Sequence, residues 1–187
     1  MDLQAIKDHI PDYAKDLRLN LDAVLNRSSL TPALARGAAI AAAFAAKAPL
    51  LVAALRDASV IDSVHAGAAL TAAALMGMNN VWYPYAEMAG DPELKTLRAE
   101  LRMNAYANHG GVDRASFELY ALAASIVGKC EFCVSSHYKL LRENGYSTQQ
   151  LRDVGRIPAV VNAVAQVLAT ESCETPATAS TAESVLA

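Results

Sequence analysis

Alanine fills 39 of the 187 positions of this chain. Ala is the best helix former and a poor strand former. A sandwich or barrel is therefore disfavoured, and closely packed helices are favoured. Hydrophobic residues make up 53% of the sequence and aromatics only 6%, so the core must be built mainly from small and aliphatic side chains. The length corresponds to roughly one domain.

Apolar residues recur at helical spacing nearly throughout. Leu3, Ile6, Ile10, Tyr13, Leu17 and Leu21 begin the pattern, and Pro11 divides it into two short helices. Ser29 and Thr31 precede Pro32 at the start of an Ala-rich helix that reaches about Lys47. Pro49 opens the next, and Asp62 or Ser63 caps a long core helix. Asn79-Asn80 reads as a turn or helix boundary. Asp91-Pro92 reads as the start of a helix carrying Leu94, Leu97, Leu101 and Tyr106, broken at His109-Gly110-Gly111. Further helices are expected from Arg114 to Gly128 and from about Cys130 to Glu143, the latter stopped by Asn144-Gly145. Ser147 to Gln150 match a capping box, and Pro158 is expected to open the last helix. No strand is convincing. The expectation is one all-α, multi-helix domain over 1–173, followed by a Thr/Ser/Ala-rich tail over 174–187 expected to be disordered. A weak echo aligns Leu75–Asn79 with Ile126–Cys130, as an internal duplication of a helical hairpin would.

The net charge is −3, from 16 Lys and Arg against 19 Asp and Glu. A nucleic-acid partner is not expected, because phosphate binding shows as a basic surplus. The opening MDLQAIKDHIPDYAKDL has no apolar run and does not read as a secretory signal. The longest stretch without a formal charge, Ser63 to Ala86, has an apolar part, about Val64 to Met78, that falls short of the ~20 residues a membrane span needs. A cytoplasmic protein without membrane contact is expected. In that reducing compartment, paired cysteines point to catalysis or metal binding more than to stapling.

The most informative segment is Cys130-Glu131-Phe132-Cys133-Val134-Ser135-Ser136-His137. On a helix, Cys133 and His137 lie about 300° and about 340° around the axis from Cys130, so all three share one face. Both thiols fall in the first turn, where free backbone N–H groups and the helix dipole favour an anion. An ordinary thiol with pKa ~8.5 is about 3% thiolate at pH 7, and one lowered to ~7 is about half thiolate. His137 can accept or return a proton. Glu118, twelve residues before Cys130, could reach His137 across an antiparallel helix pair and orient the imidazole. A solvated surface role for Glu118 stays open on spacing alone. For the cysteines, core packing and a zinc site lacking a fourth ligand stay open beside a redox dithiol, which is favoured. A c-type haem is excluded, because Val134 follows the second Cys.

Glu118, Cys130, Cys133 and His137, at these separations, resemble the E-x(11)-C-x-x-C-x-x-x-H signature of the AhpD alkyl hydroperoxide reductases, within the wider carboxymuconolactone decarboxylase-like superfamily. The opening DLQAIKDHIPDYAKDLRLNL, the middle MGMNNVWYPY and the segment GYSTQQLRDVGRIPAVVNAVAQVL are also similar to that family. The resemblance implies a helical homotrimer that reduces small hydroperoxides with no bound cofactor. Its implied electron donor is a dihydrolipoyl group on a dihydrolipoamide acyltransferase-type protein, and its implied partner is the peroxiredoxin AhpC. It implies that Cys133 attacks the peroxide and becomes sulfenic acid, that Cys130 closes a disulfide with it, and that His137 and Glu118 relay protons. That disulfide is expected to be exposed and therefore reducible. Some members have His between the cysteines, where this chain has Glu131-Phe132, and Glu131 works against a lowered thiol pKa. Superfamily decarboxylases generally lack the C-x-x-C pair, which counts against that activity. Cys173, with no Cys or His near it in sequence, is read as a bystander.

Overall fold

The computed structural model describes residues 2–174. Over these residues the chain forms α1 (Leu3–Asp8), α2 (Asp16–Asn26), α3 (Pro32–Ala45), α4 (Pro49–Leu55), α5 (Ser63–Met88), α6 (Arg114–Gly128), α7 (Glu131–Glu143) and α8 (Thr148–Glu174), with four short 3-10 turns and no strand. Most helix starts are set by their caps. Thr31 accepts the Leu34 N–H at 3.3 Å ahead of Pro32, and Asp62 accepts the His65 N–H at 2.8 Å. Asp113 accepts from the Ser116 N–H at 3.0 Å, and Ser147 and Gln150 satisfy each other's backbone N–H groups.

Helices α3, α5 and α6 pack on one another, α8 lies against α2, α3 and α6, and α7 lies against α6 and α5. The alanines account for this arrangement. Every residue from Ala35 to Ala43 in α3 is buried, as is every residue from Ser116 to Ser125 in α6. A helix buried all round needs small side chains on several faces if its neighbours are to approach. At Gly37 the approach is close enough to require glycine, since a Cβ there would lie 2.3 Å from the buried Tyr120 ring.

Three sequence expectations fail here. Asn79-Asn80 ends nothing, and α5 runs through both residues and through Pro84 to Met88. Their amides have tertiary partners, the Ala124 carbonyl for Asn80 (3.3 Å) and the Met103 sulfur for Asn79 (3.8 Å), and so do not compete for their own backbone. Asp91-Pro92 opens no α-helix, and only 3-10 turns at Leu94–Thr96 and Asn104–Tyr106 form. Leu97 is 59% and Leu101 41% exposed, so the helical face they would share is not buried, and a short helix without packing is marginal. Pro158 lies inside α8 instead of opening a helix. Val154, Ile157, Val161 and Val164 form one buried stripe across it, and burying that stripe outweighs the ~3 kcal/mol an interior proline costs.

The sequence echo also falls on unlike structures, since Leu75–Asn79 is continuous helix while Ile126–Cys130 crosses the α6–α7 break. The tail over 175–187 and the side chain of Cys173 lie outside the described residues. No helix among the described residues is long and apolar enough to cross a membrane.

One buried carboxylate ties α8 to the α2–α3 connection. Asp153 accepts from the Ser29 N–H (2.9 Å) and hydroxyl (2.8 Å) and pairs with Arg156 (3.1 Å) and Arg152 (3.2 Å). Burial alone would raise its pKa, but these donors outweigh it and hold the carboxyl at about 2. The folded value is below the unfolded one, so the stabilisation is complete above about pH 4 and is lost as pH falls through about 2. Its size is on the order of 2 kcal/mol. Asp153→Asn is expected to lower stability by that order at pH 7 and to flatten the acid limb of urea denaturation between pH 4 and 2. An unchanged limb would refute the assignment.

Candidate active site

The site is built where α6 turns into α7. Lys129 adopts the left-handed conformation (φ 54°), which reverses the chain, and the Cys130 N–H bonds back to the Ser125 carbonyl at 3.3 Å. Gly128 lets α5 approach this turn, because a Cβ there would lie 2.1 Å from the Asn80 amide nitrogen. Cys130 thus becomes the N-cap of α7, its sulfur accepting the Cys133 N–H at 3.2 Å. The Cys130 and Cys133 Cα atoms are 5.3 Å apart and the sulfurs 2.27 Å apart, joined as a disulfide. Cys133, His137 and Leu141 then follow at four-residue intervals on the face that α7 turns toward α5 and α6.

That placement corrects the expectation of an exposed disulfide. Cys130 is 0% and Cys133 3% exposed, because the same face that aligns the pair with His137 is the one α7 buries. The exposed residues of this turn are those between them, Glu131 and Phe132. Phe132 stacks on Tyr83 of α5 with ring centroids 4.3 Å apart.

Glu118 is not a surface residue. It is 1% exposed, and its Oε2 lies 2.5 Å from His137 Nδ1. Its Oε1 accepts a hydrogen bond from the Tyr106 hydroxyl, and Arg114 Nε lies 3.8 Å away. Burial pushes the Glu118 carboxyl upward, but the hydrogen bonds from His137 and Tyr106 and the charges of His137 and Arg114 prevail and hold its pKa below the ordinary glutamate value. The second imidazole nitrogen, Nε2, lies 3.2 Å from the Met76 sulfur of α5. The ring is thus fixed from both sides, with a carboxylate behind it and a thioether in front.

Of the four residues singled out in the sequence, the structure joins Cys130 to Cys133 and sets Glu118 against His137, with Cys133 and His137 one helical turn apart on α7. Sequence reasoning missed Tyr106, Arg114 and Met76. Only Arg114 had a legible signal, its four-residue spacing from Glu118 on one helix. His65 is satisfied by the Tyr120 hydroxyl at 2.6 Å. Lys139, Arg142 and Arg152 make local contacts with Glu143, the Tyr146 carbonyl and Asp153. Among the described residues no group of three or more His, Cys, Asp or Glu could hold a metal ion, so the zinc reading gains no site. A dithiol at a helix N-terminus beside a carboxylate-backed imidazole is chemically equipped for thiolate attack and proton transfer.

A model of the carboxymuconolactone decarboxylase family matches residues 92–172, the part that holds Glu118, both cysteines and His137. The alkyl hydroperoxide reductase AhpD of Rhodospirillum centenum is 45% identical over 174 residues, covering 92% of this chain and 93% of that protein. The AhpD proteins of Maricaulis maris and Streptomyces coelicolor are 43% and 40% identical over 174 residues, covering 92% of this chain and 100% and 97% of their own lengths. The chain belongs to the AhpD alkyl hydroperoxide reductase family, a family of peroxidase-type enzymes.

Proposed function

We propose that this chain reduces small hydroperoxides to alcohols through Cys130 and Cys133, with dihydrolipoyl groups as the electron donor. The observation that carries the reading is the Glu118–His137 pair, with the carboxylate buried and the imidazole partly buried one helical turn from Cys133 on the helix that Cys130 caps. In the reduced protein the Cys133 thiolate attacks the peroxide O–O bond. The alkoxide takes a proton relayed by His137 and leaves as an alcohol, and Cys133 becomes sulfenic acid. The Cys130 thiol displaces hydroxide from that sulfur, forming the disulfide and, after proton transfer, water. Glu118 stabilises the imidazolium at each transfer.

A dithiol then reduces the disulfide in two exchange steps and is itself oxidised to a cyclic disulfide. A lipoyl arm on a dihydrolipoamide acyltransferase-type protein suits this step, since both of its thiols travel together. The same dithiol chemistry would pass electrons to the disulfide of the peroxiredoxin AhpC, a partner suggested by the relatives' name. No bound cofactor enters the scheme, and a cytoplasmic setting supplies the reductants. A homotrimer is part of the same proposal, and apolar side chains exposed on one chain, among them Val81 (70%), Met88 (80%) and Leu97 (59%), are available for an interface between copies.

The test is turnover with dihydrolipoamide and tert-butyl hydroperoxide. Peroxide loss matched one to one by lipoamide formation is expected. No peroxide loss, or stoichiometric zinc in protein purified under reducing conditions, would overturn the proposal.

A further inference from the structure

Glu118 has two carboxylate oxygens, and the chemistry proposed above uses one of them. The other is held by a residue outside the four-residue signature. Tyr106 donates its hydroxyl to Oε1 while Oε2 meets His137 Nδ1 at 2.5 Å. We propose that Tyr106 is a positioning residue that fixes the Glu118 carboxylate for its contact with His137.

The surroundings of Tyr106 support this role independently of the hydrogen bond. Its ring lies edge-on to His109 and to Phe117, the neighbour of Glu118, with centroids 5.6 and 5.7 Å away. His109 also contacts Phe117 at 5.9 Å, so the three rings brace one another. The turn carrying His109 is docked on α5. Gly110 has φ +63°, and a Cβ there would lie 2.7 Å from the Ala68 Cα, a closeness only glycine tolerates. A segment of 3-10 turns is thereby anchored and delivers one hydroxyl to one buried oxygen.

The groups facing Glu118 are His137 from α7, Tyr106 from its turn and Arg114 from α6. Arg114 is 3.8 Å away with its side chain 58% exposed, so solvent weakens its influence. Burial and the Glu118 charge both push the Tyr106 hydroxyl pKa above the ordinary value, which keeps it a donor at working pH. A fixed donor on Oε1 leaves Oε2 one orientation, toward the imidazole.

This inference rests on the proposed proton relay, but its test does not depend on turnover. Tyr106→Phe keeps the ring and its packing and removes only the hydroxyl. Carbon-13 NMR of protein labelled at glutamate carboxyls follows the titration of Glu118, with Glu118→Gln identifying its signal. The Tyr106→Phe protein is expected to titrate Glu118 at higher pH than wild type. The acid limb of kcat/KM should move the same way, with a loss of roughly tenfold near neutrality. A Glu118 midpoint equal to that of wild type would overturn the inference whatever the rate does. A wild-type protein that consumes no peroxide would instead overturn the proposed function, and the NMR midpoint would still decide the role of Tyr106.

Discussion

Cys133→Ser is expected to reduce peroxide turnover by at least about 10³-fold while leaving the fold intact. The hydroxyl that replaces the thiol stays protonated at neutral pH and is a poor nucleophile toward an O–O bond. The stability change should be small. The disulfide closes a ring between residues only three apart in sequence, and short rings constrain the unfolded chain little. Cys130→Ser gives the complementary result. Cys133 can still attack, so one equivalent of peroxide is consumed in a burst, but no disulfide forms and turnover stops at sulfenic acid. If Cys133→Ser gave the one-equivalent burst and Cys130→Ser lost it, the two roles would have to be exchanged. Such an exchange has a physical basis, because Cys130 is the sulfur that accepts a backbone N–H at the helix N-cap.

The second large effect is expected at Glu118. Glu118→Gln keeps the shape and one acceptor oxygen but removes the charge behind the imidazole. The imidazolium formed during proton transfer then lacks its counter-charge in a buried site, and a loss of about 10²- to 10⁴-fold in kcat/KM is expected. The pH dependence gives a second readout. The folded pKa of Glu118 lies below its ordinary value of 4.5, so the carboxylate stabilises the fold above that pH. This contribution fades as pH falls through the lower folded value. Wild type and variant should therefore differ in urea stability near neutrality and converge in acid. A constant difference across that range would mean that Glu118 is not held ionised by His137 and Tyr106.

The chemical core of the site could be read from the sequence because its information is local. A four-residue interval on a helix is enough to align Cys133 with His137, and Gly128, Cys130 and the Asn144-Gly145 pair mark where that helix begins and ends. Glu118 was within reach because it lies on the adjoining helix, joined by one tight turn. What the sequence could not show depends on distant partners. Tyr106 reaches Glu118 from a segment whose apolar spacing imitates a helix. Met76 meets His137 across 61 residues. The same blindness explains Asn79-Asn80 and Pro158, where packing against other helices overrides a local breaking signal. It also explains the burial of the cysteines, since periodicity places residues on a common face without saying that α5 and α6 cover it.

Whether Cys130 and Cys133 are the working pair is decided by mass spectrometry of reduced protein exposed to hydroperoxide and then to a thiol-blocking reagent. The expected product is a peptide with a Cys130–Cys133 disulfide, and Cys173 alkylated as in the untreated sample. Cys130 and Cys133 both alkylated after peroxide has been consumed, or a disulfide that includes Cys173, would contradict it.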